Sequence, residues 1–356
     1  MRLKTIGLIT LLVWLITPSL SAQGNGIVWE QEVEMEKILT KAQATNKLVF
    51  VLYTKPSCGY CKRLKNEILP DPQVKALLEN FINLEVDIKS PAGKDLSQRN
   101  RIFSSPVSVL YDQNGEEIDR IVGYWKLDEY LTRLTDYSQN INTFNEWTKR
   151  LETDGNNPEV LYTLGIKLLD RRMDKDAFHY LEKTVEVDPM NSSDFADNAL
   201  YMKASHLQRK QRNAEGAIDP LLAILNRFPQ GDQAVYAFNR LLTCYTILKQ
   251  PDQIVETYDK YIKVIPQEAR AYRVAATELA KGWKGARYLA KAMESAKQAI
   301  KLDPNHAGNY SALSTVQDQM GDYQAALKSM NKALELDPEN SRYKARQEQL
   351  KNELTD

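Results

Sequence analysis

The sequence predicts two parts of unlike class: an α/β domain whose mixed sheet is flanked by helices, then an all-α solenoid of helical repeats. Three observations carry that prediction. From Ile27 to about Tyr137 the apolar pattern switches between a period of two and a period near 3.6. Beyond Ser138 the strand pattern stops, and prolines close successive units of roughly 34 residues. A Cys-Gly-Tyr-Cys tetrapeptide, Cys58 to Cys61, follows the most continuous apolar run of the first part.

Taken in order, the chain opens with Arg2 and Lys4, an apolar run from Thr5 to Ile16, a breaker at Pro18 and small residues at Ser19, Ser21 and Ala22. That ordering predicts a secretory signal peptide over residues 1–22, cut after Ala22. The run would rise about 18 Å as a helix, short of the roughly 30 Å of a bilayer's hydrocarbon, so no stable membrane insertion is expected after cleavage. The expected location is outside the cytosol, in the periplasm of a bacterium. With 47 basic and 47 acidic residues and a 43% apolar fraction, the chain has neither the field for nucleic acid nor the composition of a disordered protein. Three cysteines and three histidines, none of the latter near a cysteine in sequence, leave no expected metal site or cofactor.

Glu30 to Asn46 reads as a helix, and Lys47 to Tyr53 (KLVFVLY) as a strand buried on both faces. Helices follow from Cys58 to Ile68 and from Val74 to Phe81, then a strand from Ile82 to Ile88 and a helix from Gly93 to Arg101. Pro106 opens the strand Val107 to Tyr111; Asp112-Gln113-Asn114-Gly115 supplies a hairpin turn into Glu117 to Val122, and Trp125 to Tyr137 closes the unit as a helix. The domain is therefore placed at 27–137, with a connecting helix at 138–155.

In the second part the closing prolines are Pro189, Pro229, Pro266, Pro304 and Pro338, the last two within identical Leu-Asp-Pro triplets. The first unit carries Leu161, Leu164, Gly165 and Leu168 on one helix, then Ala177, Leu181 and Thr184 on the next; the last carries Tyr310, Leu313, Gly321, Ala326, Met330 and Ala333. These residues resemble the tetratricopeptide repeat, in which small residues such as Ala177, Ala292 and Ala326 sit where two helices cross closely. The resemblance implies about five units over 156–342, a helical tail at 343–356, and a protein partner on the repeat surface. Pro220, early in a helix, and Ile254, at a position usually small, make the second and third units less regular. Tyr162, Ile166, Ser311 and Thr315 do not reproduce the Lys/Asn clamp that other repeats use for acidic peptide ends. The aromatics Trp147, Tyr162, Phe178, Tyr180 and Tyr272 are expected in the helix seams, and Cys244 as a core filler.

The dithiol is where chemistry is expected. At a helix start, unpaired N–H groups and the helix dipole stabilise a thiolate on Cys58, making it the attacking sulfur. Cys61, one turn on and more shielded, is the resolving cysteine that attacks a mixed disulfide and releases the partner. Gly59 allows a tight turn and close approach of a substrate backbone, and Tyr60 is a candidate substrate contact. A permanent structural disulfide is the competing reading.

Strand, Cys-x-x-Cys and helix, with Pro106 48 residues past Cys58, resemble the thioredoxin fold. The resemblance implies that Cys58 and Cys61 form a redox-active disulfide, that Pro106 is a cis-proline facing it, and that the Ser105 backbone binds substrate. It also implies an exported thiol–disulfide oxidoreductase acting on disulfide-containing client proteins or peptides. The Gly-Tyr pair occurs in some periplasmic isomerases, and lacks the His of strongly oxidising sites, so reductase or isomerase work is expected over oxidation. A reductase would need an electron donor. Two departures stand out: Pro56-Ser57 where thioredoxins carry Trp, and Leu52 where they carry a buried acid. The alternative function is a non-catalytic adaptor in which the repeats bind a partner and the disulfide is structural.

Overall fold

Val49 to Thr54 are buried without interruption, which only a central strand covered on both faces permits. The computed structural model describes residues 26–31, 34–283 and 285–355, and the chain divides between Thr143 and Phe144 into two units. The expected signal peptide, residues 1–22, lies outside the described residues.

The first unit runs β1 (Trp29–Glu30), α1 (Met35–Thr45), β2 (Leu48–Thr54), α2 (Gly59–Arg63), α3 (Pro72–Leu78), β3 (Phe81–Asp87), α4 (Pro91–Arg99), β4 (Val107–Tyr111), β5 (Glu117–Val122) and α5 (Leu127–Ser138). The sheet order is β1-β3-β2-β4-β5, parallel among the first three and antiparallel for β2 with β4 and β4 with β5. This is the mixed sheet the sequence predicts. Alternate residues of β2 serve opposite cores: Phe50 and Leu52 meet Leu64, Ile68, Tyr130 and Leu134, while Val49, Val51 and Tyr53 meet Ile38, Ala42, Leu96 and Val109. Buried hydroxyls are paired, Ser108 with Tyr130 at 2.8 Å and Tyr53 with Tyr111 at 3.2 Å. Burial pushes the Tyr53 phenol up to about 12.

Several boundaries differ from expectation for local reasons. The segment taken as the start of a helix at Glu30 instead contributes the two-residue strand β1, paired to Asn83 and Leu84 of β3; two residues are too few to show a period. α1 begins at Met35 and ends where Asn46 turns left-handed at φ 52°. Asp71 caps α3 by accepting from the Gln73 and Val74 amides, so that helix starts earlier than expected and frees Phe81 for β3. Ser90 does the same for α4. Past Arg63 the turn widens to a π-type turn over Leu64–Ile68.

After α5, Asn140 and Asn142 at φ 59° and 54° break the chain, where the sequence suggests one continuous connecting helix; α6 (Phe144–Thr153) then begins the second unit. Five helix pairs follow among the described residues: α7 (Pro158–Asp170) with α8 (Asp174–Val187), α9 (Phe195–Arg209) with α10 (Ile218–Arg227), α11 (Ala234–Ile247) with α12 (Pro251–Tyr261), α13 (Ala269–Leu279) with α14 (Ala286–Leu302), and α15 (Ala307–Gln319) with α16 (Tyr323–Leu336). α17 (Ser341–Glu353) covers the end, burying Leu350 against Ala326, Met330 and Ala333. Ala177, Ala292 and Ala326 are fully buried, as close crossing requires. Pro220 falls in the first turn of α10, where a missing N–H costs little, and Ile254 is buried in the core of the second unit. Trp147 packs on Val160 and Leu164, and Tyr162, Phe178, Tyr180 and Tyr272 pack into or against the same helical cores. No helix of the described residues is long and apolar enough to cross a membrane.

Candidate functional site at Cys58 and Cys61

The loop leaving β2 delivers Cys58 to the N-cap position of α2, with extended backbone at φ −91° and ψ 106°. Its side chain is the cap: Sγ accepts the Cys61 backbone N–H at 3.0 Å. A sulfur in that place is held by an oriented donor and by the helix start, both of which favour negative charge. Cys58 and Cys61 are joined by a disulfide, and both are buried, 5% and 3% exposed. Exposure is thus nearly equal for the two, rather than higher for Cys58 as its expected attacking role suggests.

The Ser105–Pro106 peptide is cis and sits at the entry to β4. The Ser105 carbonyl oxygen lies 3.5 Å from Cys58 Sγ, so the structure brings Ser105 and the dithiol together across 47 residues of sequence. In the disulfide this is a contact; a Cys58 thiol could donate along it. Pro106 is buried and Ser105 half-buried. Gly59 is exposed, and its φ is not positive, so the turn itself does not demand glycine; a Cβ there would meet nothing within 4 Å. The space over Gly59 is open to an approaching chain.

Tyr60 is 61% exposed and stacks on Tyr124, with ring centroids 6.1 Å apart. Tyr124 belongs to a cluster that the sequence did not announce. Its hydroxyl donates to Glu67 Oε2 at 2.6 Å, and the Arg63 guanidinium lies 4.3 Å over its ring while pairing both Glu67 oxygens at 3.0 Å. The bonds from Arg63 and Tyr124 hold the Glu67 carboxyl below its usual range, and the bond to Glu67 pushes the Tyr124 phenol up. The spacing of Arg63 and Glu67 on one helix was visible; Tyr124, 57 residues from Glu67, was not.

An acid also borders the place where Leu52 stands. Leu52 pairs in register with Glu85 on β3, whose carboxylate takes Lys65 Nζ at 2.9 and 3.0 Å and Thr54 Oγ1 at 3.0 Å. Lys65 lies four residues past Cys61. Cys244, by contrast, is fully buried in α11, and burial pushes its thiol up to about 11. Among the described residues no three His, Cys, Asp or Glu side chains gather as metal ligands.

Comparison with known proteins agrees with this geometry. Residues 35–138 match the thioredoxin-like domain family, and residues 307–340 the tetratricopeptide repeat. Over 104 residues, 28% of the chain, the sequence is 25% identical to the thiol:disulfide interchange protein DsbD of Ralstonia nicotianae, and that match spans only 17% of the DsbD protein. Over 101 residues it is 28% identical to thioredoxin H8 of Arabidopsis thaliana, spanning 64% of that protein. The structure of pilF from Pseudomonas aeruginosa aligns with 62% of this chain and 93% of its own, at 18% identity and a TM-score of 0.42. The chain thus joins a thioredoxin-like α/β domain, with its Cys-x-x-Cys pair at disulfide distance, to helical repeats of the tetratricopeptide class.

Proposed function

We propose that the protein is an exported thiol–disulfide oxidoreductase, a reductase or isomerase of client disulfides, whose helical repeats hold a client or partner. The observation that carries the proposal is the Cys58 sulfur, capping α2 against the Cys61 amide and lying beside the Ser105 carbonyl. The thioredoxin-like match over 35–138 and the similarity to a thiol:disulfide interchange protein support the same reading.

In the reducing direction the Cys58 thiolate attacks one sulfur of a client disulfide. A Cys58–client mixed disulfide forms, and the other client sulfur leaves as a thiolate that takes a proton from solvent. Cys61, having lost its proton, then attacks Cys58 Sγ; the second client thiolate leaves and the Cys58–Cys61 disulfide forms. The client gains two electrons and the dithiol loses two, so a dithiol donor must restore it. The open space over Gly59, the exposed Tyr60 ring and the Ser105 backbone are the surfaces past which a client chain would run. Proposed roles are therefore nucleophile for Cys58, resolving cysteine for Cys61, and substrate contacts for Gly59, Tyr60 and the Ser105–Pro106 segment. The leader pattern over residues 1–22 supports export to a periplasm, with Gln23 as the first mature residue.

The test is to equilibrate the mature protein in glutathione and dithiothreitol buffers and follow the Cys58–Cys61 couple. A reversible potential near roughly −270 mV is expected of a reductase, and about −180 mV of an isomerase. A Cys61→Ser variant should trap client mixed disulfides on Cys58. The absence of any reversible couple, with nothing trapped, would leave the disulfide structural and the protein an adaptor.

A further inference from the structure

Residues 100–106, between α4 and β4, carry the Ser105 carbonyl to 3.5 Å from Cys58 Sγ. The segment starts from a tight helix ending. The Arg101 amide bonds the Gln98 carbonyl at 3.1 Å and the Ile102 amide the Ser97 carbonyl at 2.7 Å, with Arg101 left-handed at φ 54°, a place usually given to glycine. Ile102 is buried in one core with Leu96, and further on the Ser105 Oγ is buried without a hydrogen-bond partner among the described residues. The Ser105 hydroxyl therefore does not hold its own segment in place.

The edge strand β5 holds it, at both ends. Arg120, whose side chain is 4% exposed, donates from Nη2 to the Asn100 carbonyl at 3.1 Å and from Nη1 to the Arg101 carbonyl at 3.5 Å. Gly123, just past β5, donates its amide to the Pro106 carbonyl at 2.9 Å. Glu117 on the same strand orients the guanidinium: its Oε1 accepts Arg120 Nε at 2.9 Å and its Oε2 pairs with Nη2. Asn100 is tied in turn, its side-chain amide donating to the Leu96 carbonyl at 2.9 Å and to the Tyr53 hydroxyl at 3.4 Å. A cation at the end of α4 meets carbonyls that the helix leaves open and the negative end of its dipole. The planar fork lets one side chain serve a carboxylate and two carbonyls together, which an ammonium does not. An ion pair is costly to bury, and apolar side chains would fill the same core; what the pair adds here is a fixed geometry.

We propose that Arg120, oriented by Glu117, is a positioning residue for client binding: it sets residues 100–106, and with them the Ser105 backbone along which a client's main chain aligns beside Cys58. Arg120 touches no client atom and takes no part in the sulfur chemistry. The inference rests on the oxidoreductase reading above and adds to it the side chain that places the client. A disulfide within a peptide, which has main chain to lay along Ser105, depends on Arg120. A small disulfide without peptide groups does not.

The experiment compares the full mature chain with an Arg120→Met/Glu117→Gln double variant, which removes both charges together so that neither is left buried and unpaired. Each protein is reduced, freed of reductant and mixed in single turnover with a disulfide-bonded peptide or with hydroxyethyl disulfide. The dithiol passes two electrons and two protons to the substrate, leaving two thiols and the Cys58–Cys61 disulfide. With the peptide, the concentration giving half the maximal rate should rise about tenfold in the variant while the maximal rate holds within about twofold. With hydroxyethyl disulfide the second-order rate constant should change by less than about twofold. Should the double variant not fold, Arg120→Lys keeps the buried charge without the fork and carries the same test, with a rise of about threefold expected. Equal losses for the two disulfides, a loss confined to the maximal rate, or a peptide curve unchanged from the parent would each overturn the proposal and leave the oxidoreductase standing. A parent that reduces neither disulfide would overturn both readings.

Discussion

At the scale of single residues, Asp188 shows how a short sequence signal becomes a physical contact. It precedes the closing proline of the first repeat, as Asp303 and Asp337 do in the two Leu-Asp-Pro triplets, and the structure gives the pattern a reason. The Asp188 carboxylate accepts the Ser192 and Ser193 amides at 2.7 and 3.1 Å, fixing the chain between α8 and α9; Asp303 accepts the Asn305 amide, and Asp337 the Asn340 side chain. Burial alone would raise the Asp188 carboxyl, but its bonds to Ser193 and Ser192 outweigh that and hold it below the usual range. A carboxyl lowered on folding contributes stability that is full above its unfolded value near 3.9 and is lost as pH falls through the folded value. Asp188→Asn should therefore cost about 1–2 kcal/mol at pH 7 in urea denaturation, with the gap between parent and variant closing as pH falls through the lowered folded value of the carboxyl. A gap that stayed constant with pH would remove the carboxylate from the account.

Cys58 and Cys61 were equally legible, because two cysteines three apart after a buried strand is a local pattern. The Tyr60–Tyr124–Glu67–Arg63 cluster and the Glu85–Lys65 pair were not. Each joins residues 20 or more apart, and only the sheet register and the return of the chain after β5 bring them together.

Among elements, small residues mark where backbones approach, and the neighbour decides what a substitution costs. Gly165 on α7 faces α8: an added Cβ would sit 2.8 Å from the Leu181 side chain and 3.4 Å from the Ala177 carbonyl oxygen. In the last pair the corresponding Ser314 uses the same proximity to donate to the Ala326 carbonyl at 2.7 Å, so the crossing distance is a property of the repeat. Gly93 in the first turn of α4 is different, since its Cβ would fall 2.0 Å from the Asp87 carbonyl oxygen, a backbone atom of the preceding strand. A leucine can rotate away; a carbonyl at the end of a buried strand cannot. Gly165→Ala gains about 1 kcal/mol of helix propensity against the cost of moving Leu181, and should change stability by less than about 1 kcal/mol. Gly93→Ala should destabilise by about 3 kcal/mol, because the whole turn must shift. Chemical denaturation of the two variants reads this directly, and equal costs would show that the α4 turn yields as easily as a side chain. The repeat periodicity was legible because each unit restates it; the edge strand β1 and the break at Asn140 and Asn142 were not, because two residues of strand and five of linker carry no period.

For the molecule as a whole, the joining of a dithiol to helical repeats on one chain matters through concentration. If the repeats hold one segment of a client, a disulfide elsewhere on that client meets Cys58 at an effective concentration of order mM instead of its concentration in solution. At a client concentration of about 10 μM that is a gain of up to roughly a hundredfold, provided the linker spans the two sites. The measurable form is a pair of substrates with the same disulfide peptide and the same long Gly/Ser linker, one ending in a segment that the repeats capture and the other in that segment scrambled. The reduced protein should reduce the captured substrate faster at low concentration and the two at the same rate when both are saturating. Adding the free segment in excess should abolish the difference without slowing the scrambled substrate. Linkers too short to reach would give no gain and long ones a gain that falls slowly with length, so a series of linkers separates tethering from a direct effect of the segment at the dithiol. Equal rates for both substrates at every linker length would mean that the two halves act on different molecules, with the repeats serving a partner that is not the redox client.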